Sequence, residues 1–120
     1  MLIESRPAHD PELAALGAPN DDATYLVVVL DGRAVAYGAW RHAPGGAAEL
    51  TGIYVRPAFR GRGIARQLIV AIEEDAFAAG RPVIRLETGT DLPAAIALCR
   101  SAGYHRVAAG FEKRLGVLVQ

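Results

Sequence analysis

The stretch Glu49-Leu50-Thr51-Gly52-Ile53-Tyr54-Val55-Arg56-Pro57-Ala58-Phe59-Arg60-Gly61-Arg62-Gly63-Ile64-Ala65 decides the fold of this 120-residue chain. Its first part, within Ala47 to Val55, reads as a strand. Arg56 to Arg60 is a loop. Gly61-Arg62-Gly63 then leads into a helical pattern in which Ile64, Leu68 and Ile72 recur at i, i+4 and i+8. The first N–H groups of a helix have no internal partner, and with the helix dipole they attract an anion. Gly61 and Gly63 remove side chains, so an anion can approach the backbone. Arg56, Arg60, Arg62 and Arg66 fall within eleven residues that hold no acid, and they add positive potential. The stretch reads as a phosphate or pyrophosphate cradle. The bland alternative is a helix start whose glycines serve tight packing.

Working outward, Leu2 to Ser5 could be a short edge strand stopped by Pro7. Asp10 (N-cap), Pro11 (N1) and Gly17 (stop) bound a short helix. Thr24 to Leu30 and Arg33 to Arg41 read as a hairpin closed by Asp31-Gly32, since glycine accepts the positive φ of such a turn. The long helix ends at Gly80, ahead of Pro82. Val83 to Glu87 is a short buried strand. Thr88-Gly89-Thr90-Asp91 turns into a second helix that holds Pro93 in its first turn and ends before Gly103. Tyr104 to Ala108 and Phe111 to Val119 read as a last hairpin around Ala109-Gly110. The order implies an α+β or α/β domain with one mixed sheet and helices packed on it. The unit from Ala47 to Glu87 should be a parallel crossover.

The length suits a single domain spanning residues 1–120. Hydrophobic residues make up 52%, too many for a disordered chain. Thirteen basic and thirteen acidic side chains cancel, which argues against a generic nucleic-acid binder. The lone cysteine, Cys99, excludes an intrachain disulfide and a multi-cysteine metal cluster, and fits a reducing compartment. His9, His42 and His105 show no metal-ligand spacing, so no metal is expected. The apolar run Tyr25 to Leu30 is too short to span a bilayer, and the N-terminus lacks a signal-peptide core. A soluble, cytoplasmic domain is the expectation.

Among phosphate motifs, the P-loop fails because Ile64-Ala65 stand where Lys-Ser/Thr is needed. The dinucleotide fingerprint fits poorly, with Arg66 at its third glycine. Arg60-x-x-Gly63-x-Ala65 resembles the [Q/R]-x-x-G-x-[G/A] signature of the GNAT superfamily of acetyl-CoA-dependent N-acetyltransferases. Tyr54-Val55-Arg56-Pro57 resembles the end of that family's fourth strand. Leu86-Glu87-Thr88-Gly89 and Ala95 to Tyr104 resemble its fifth strand and fourth helix, and Phe111 to Leu115 its last strand. The resemblance implies a mixed, mostly antiparallel sheet of about six to seven strands. It also implies a central splayed parallel pair, two main helices and a trimmed N-terminal side.

The resemblance further implies that acetyl-CoA is the co-substrate. Its pantetheine arm would pair with the strand holding Ile53, Tyr54 and Val55, with a Val55-side N–H as oxyanion donor. Arg60, Gly61, Arg62, Gly63, Ile64, Ala65 and Arg66 would surround the pyrophosphate. Glu49 takes the place of the general base found in several members; alternatively it is a solvent-facing strand carboxylate. Strand alternation puts Glu49, Thr51, Ile53 and Val55 on one face. The family's acid is a tyrosine after leucine in the fourth helix, and here that pair is Leu98-Cys99. Cys99 could donate its own proton, pair with CoA under oxidation, or be a small buried hydrophobe. Tyr37 and Trp40 should fall on opposite faces of their strand. Glu73-Glu74-Asp75 should be the solvated face of the long helix.

The implied activity moves an acetyl group to a primary amine by direct attack in a ternary complex. The acceptor would be a small molecule or a peptide. The alternative is a CoA-binding sensor or interaction module without turnover, suggested by the missing tyrosine and the few residues before Thr24. A second subunit could complete the acceptor side as a homodimer. A nucleotide-binding fragment is a distant third.

Overall fold

The computed structural model describes residues 1–87, 93–108 and 110–116. Its strands are β1 (Leu2–Arg6), β2 (Thr24–Leu30), β3 (Arg33–Ala43), β4 (Ala47–Val55), β5 (Val83–Glu87), β6 (His105–Val107) and β7 (Gly110–Arg114). Helix α1 (Pro11–Ala15) follows β1, α2 (Ile64–Ala78) follows β4, and α3 (Pro93–Ser101) follows β5. The strands form one sheet in the order β1-β2-β3-β4-β5-β7-β6. Only β4 and β5 run parallel; every other neighbouring pair is antiparallel. No helix among the described residues is long and apolar enough to cross a membrane.

The local chemistry explains these elements. Asp31 and Gly32 have φ of 51° and 78°, the double positive φ of a type I′ turn, and they join β2 to β3. The Asp10 carboxylate accepts from the amides of Glu12 and Leu13 at 2.8 and 3.3 Å, capping α1. Glu12 reaches across to accept the Ala34 amide at 2.8 Å, and Arg6 bonds Glu4, Asp10 and Glu12. This network ties α1 to β1 and β3.

The sheet is covered unequally. On one face α2 lays Leu68, Ile72 and Ala76 against Leu26, Val28, Trp40, Ile84 and Phe111. Each such aliphatic side chain contributes about 1.5–3 kcal/mol on burial. A Cβ at Gly38 would come 2.8 Å from Ile72 Cδ1, so a glycine there lets α2 sit close on β3. On the other face α1 supplies only Leu13 and Leu16, against Tyr25, Val27, Tyr37 and Ala39. Tyr37 and Trp40 do lie on opposite faces.

Three expectations need correction. β3 runs two residues past Arg41, because His42 and Ala43 pair with Ala48 and Ala47. β6 and β7 are shorter than expected: β7 ends at Arg114, which pairs with Val83, the first residue of β5, so the ladder runs out there. The pairing Val107↔Gly110 also moves the connection one residue earlier. Glu73 and Asp75 are only partly exposed, and each is bonded to other elements. Glu73 accepts the Tyr104 hydroxyl at 2.8 Å and both its oxygens lie 3.2 Å from Lys113 Nζ. Asp75 accepts Trp40 Nε1 at 2.8 Å. Only Glu74 of the three is exposed. The expected turn Thr88 to Asp91, Ala109 and the end of the last strand from Val117 lie outside the described residues.

Candidate functional site

β4 and β5 pair only through Ala47↔Val83, Ala48↔Ile84 and Glu49↔Arg85. Beyond Glu49 no described strand pairs with that edge of β4. The direction of its backbone groups follows from the next residue. The Arg56 amide donates to Val35 O at 2.9 Å, so residue 56 faces β3. Antiparallel alternation then turns Tyr54 toward β3, and Ile53 and Val55 away from it. The Val55 carbonyl agrees, since it accepts Arg60 Nε at 2.8 Å. Ile53 and Val55 therefore turn their backbone groups toward the gap. Tyr54 does not: its ring lies on the α1 side, 6.2 Å from Tyr37 and 5.6 Å from the Arg60 guanidinium.

At the end of β4 the chain builds the glycine turn. Gly61 and Gly63 have φ of 79° and 77°, and a Cβ on either would meet nothing within 4 Å. Tight packing therefore does not require them; backbone conformation does, and the space above stays open. α2 starts with no side-chain cap and no acid in its first turn. Its first main-chain bond is Gln67 N to Gly63 O at 3.1 Å, so the amides of Ile64, Ala65 and Arg66 precede the ladder. The arginines brace the loop. Arg56 donates to Ala34 O at 3.3 Å and Arg62 to Ala58 O at 3.3 Å, while Arg62 also lies over the Phe59 ring. Open space, free amides and cationic rim together fit a pyrophosphate.

Glu49 sits where β4 and β5 part. Alternation alone misplaces it. Ala39 pairs with Gly52 but Trp40 pairs with Leu50, so Thr51 is an extra residue, a β-bulge. Ala48, Leu50, Ile53 and Val55 consequently all meet the α2-side core. Glu49 lies on the opposite face from Ile53 and Val55, not with them. There it accepts Arg41 Nε at 3.1 Å and keeps 25% of its side chain exposed. A cleft of about 370 Å³ opens beside it. Glu49, Arg85 and Glu112 line it from this face, and Leu86 and Phe111, which belong to the α2-side core, also border it. Sequence reasoning missed Arg85 and Glu112, because only the β4–β5 and β5–β7 registers bring them beside Glu49. A larger groove of about 680 Å³ lies between β1 and α2 and includes Arg66 and Val70. It touches neither the splay nor Glu49, so the smaller cleft is the chemical candidate.

Cys99 is 3% exposed in the core beside α2 and does not line the cleft. Burial pushes its thiol above the ordinary value. His42 stacks on Trp40 with centroids 5.5 Å apart, and its Nδ1 lies 2.8 Å from Arg81. Its role is to hold the β3–β4 corner. Among the described residues, no group of three or more His, Cys, Asp or Glu could hold a metal ion.

Comparison with known proteins agrees with this geometry. The profile of the Acetyltransferase (GNAT) family matches residues 2–104. An IAA acetyltransferase of Azospirillum brasilense is 37% identical over 104 residues, covering 86% of this chain and 67% of the relative. A structure assigned as an acyl-CoA N-acyltransferase from Klebsiella pneumoniae superposes with a TM-score of 0.81 at 28% identity, over 95% of this chain and 97% of that one. An aminoglycoside N-acetyltransferase solved with CoA shares the fold at 20% identity, with a TM-score of 0.74 over 98% of each chain.

Proposed function

Because the chain belongs to the GNAT acetyltransferase family, we propose that it moves an acetyl group from acetyl-CoA to a primary amine by direct attack in a ternary complex. One observation carries this reading: a strand edge with no partner among the described residues and an uncapped helix N-terminus opened by two glycines meet at the same end of β4. The amides from Gly61 to Arg66 would take the pyrophosphate. The Ile53 amide and carbonyl would pair with the pantetheine amides, which leaves the Val55 amide, whose carbonyl Arg60 already holds, for the thioester. Acetyl-CoA supplies the acyl group as a thioester whose thiol leaves with a pKa of about 8.5.

Glu49 takes the proton that the acceptor ammonium sheds, directly or through water, and Arg41 holds the carboxylate in place. The Val55 amide donates to the thioester oxygen as charge develops there. The N–C bond forms, the C–S bond breaks, and a proton ends on the departing sulfur. A thiol of ordinary pKa leaves without strong acid assistance, so turnover does not require Cys99. Cys99 is a packing residue in this reading. The lone free thiol fits a cytoplasmic setting.

A second reading, a CoA-binding module without turnover, draws on the burial of Cys99 where the family's tyrosine acid is expected. Free-thiol release from acetyl-CoA over an amine panel separates the two. Glu49→Gln should lower kcat/KM by roughly 10²-fold or more. Saturable CoA binding with no release above background would sink the enzyme reading. Full turnover by Glu49→Gln would remove Glu49 as base.

A further inference from the structure

Resting on the reading of the Glu49 cleft as the acceptor site, we propose that Arg85 binds a carboxylate of the acceptor. The molecule acetylated is then a small free amino acid with an apolar side chain. The sheet register supports this. Arg41, Glu49, Arg85 and Glu112 are successive partners across β3, β4, β5 and β7. They form one row of alternating charge, and the row crosses the cleft. An α-amino acid carries an ammonium and a carboxylate on one carbon. Neighbouring strands lie about 4.7–4.9 Å apart, so Glu49 and Arg85 can face those two groups together.

Arg85 is already set for the task. Its Nε donates to Glu112 at 3.0 Å and its Nη1 to Pro44 O at 3.1 Å. Nη2 has no hydrogen-bond partner among the described residues, and the side chain is 46% exposed at the cleft. A guanidinium fixed at two nitrogens and open at the third loses little rotamer freedom when it takes an anion. The remaining wall includes Pro44, Leu86 and Val107, which suits an apolar side chain. The volume, about 370 Å³, falls at the small end of ligand pockets. A peptide N-terminus would offer Arg85 only an amide. Acetylation removes the acceptor's positive charge, so once Glu49 has passed its proton to solvent it repels the anionic product and favours its release.

The test uses the full chain, acetyl-CoA and three acceptors with one side chain: leucine, leucinamide and 3-methylbutylamine. Free-thiol release gives kcat/KM for each. Leucine should exceed the other two by about tenfold to a hundredfold, the range for a hydrogen bond to a charged group. Arg85→Gln should bring the leucine-to-leucinamide ratio close to one, mainly through KM for leucine. Arg85→Lys, which keeps the charge, should restore part of that ratio, and thermal melting checks that both variants fold. Equal use of all three acceptors by the wild type overturns the proposal and leaves the acetyltransferase reading standing. So does an unchanged ratio in folded Arg85→Gln. No release with any amine overturns both.

Discussion

Lys113→Met is the most informative test of how the helices are fixed to the sheet. Lys113 Nζ lies 3.2 Å from both oxygens of Glu73 and donates to Ala102 O at 2.8 Å. Glu73 also accepts the Tyr104 hydroxyl, and the two ionic side chains are 29% and 12% exposed. Three segments meet there: α2, the turn after α3, and β7. Methionine keeps the apolar stem but leaves Glu73 nearly buried with one neutral partner. Breaking a fully buried pair costs about 3–5 kcal/mol, and exposed pairs about 0–1. The exposures place this pair between those limits, at about 2 kcal/mol. The lost bond to Ala102 O adds about 1 kcal/mol. The sum, about 3 kcal/mol, corresponds to a fall in Tm of roughly 9–18 °C for a domain of this size. Urea denaturation should show the midpoint falling while the slope stays constant. The double variant Glu73→Gln/Lys113→Met should recover at least about 1 kcal/mol of the additive loss, as expected for groups in contact. A loss below about 0.5 kcal/mol in Lys113→Met, or strict additivity, would refute the argument.

Gly63→Ala should lose about 0.5–1 kcal/mol: the left-handed φ costs roughly 1–2, and the stiffer unfolded chain returns about 0.4–1. Its KM for acetyl-CoA should rise, whereas Gly52→Ala, free of positive φ and of close neighbours, should leave stability near wild type; equal behaviour of the two would remove the conformational argument. Cys99, buried and with its thiol held above the ordinary range, should resist a thiol reagent in the native state and react on denaturation; immediate native labelling would contradict the packing role. In acid the α1 side should loosen first. The Ala34 amide and Arg6 hold Glu12 below the usual carboxylate range, and the Tyr25 hydroxyl does so for Asp21. Burial opposes ionisation of Asp10, but Arg6 and the capped amides outweigh it. Depressed carboxylates stabilise above their unfolded pKa of about 4 and lose that contribution as pH falls through the lower folded values. The urea midpoint should therefore drop between about pH 4 and pH 2, less steeply in Glu12→Gln, and a midpoint constant across that range would count against the network.

Local signals in the sequence were enough for most elements. The apolar spacing from Ile64, the turn at Asp31-Gly32 and the glycines at 61 and 63 each act within a few residues, so helix, hairpin and cradle are readable directly. The order of elements then restricted the topology, and the splay after Glu49 followed from the family resemblance. Local patterns failed where two strands must agree. The bulge at Thr51 exists because β3 and β4 pair out of step there, and it moves Glu49 to the face opposite Ile53. No alternation rule applied to β4 alone can detect it.

The same limit explains Glu73 and Asp75. In the sequence they are charges on a helix, and only Tyr104, Lys113 and Trp40, brought in from other elements, give them partners. By itself the sequence determined a strand, a glycine turn and a helix in that order. That followed because backbone amides and φ preferences are properties of neighbouring residues. Only the tertiary structure decided which charged side chains gather where β4 and β5 part. Arg41, Glu49, Arg85 and Glu112 come from four strands, and strand register alone brings them into one row.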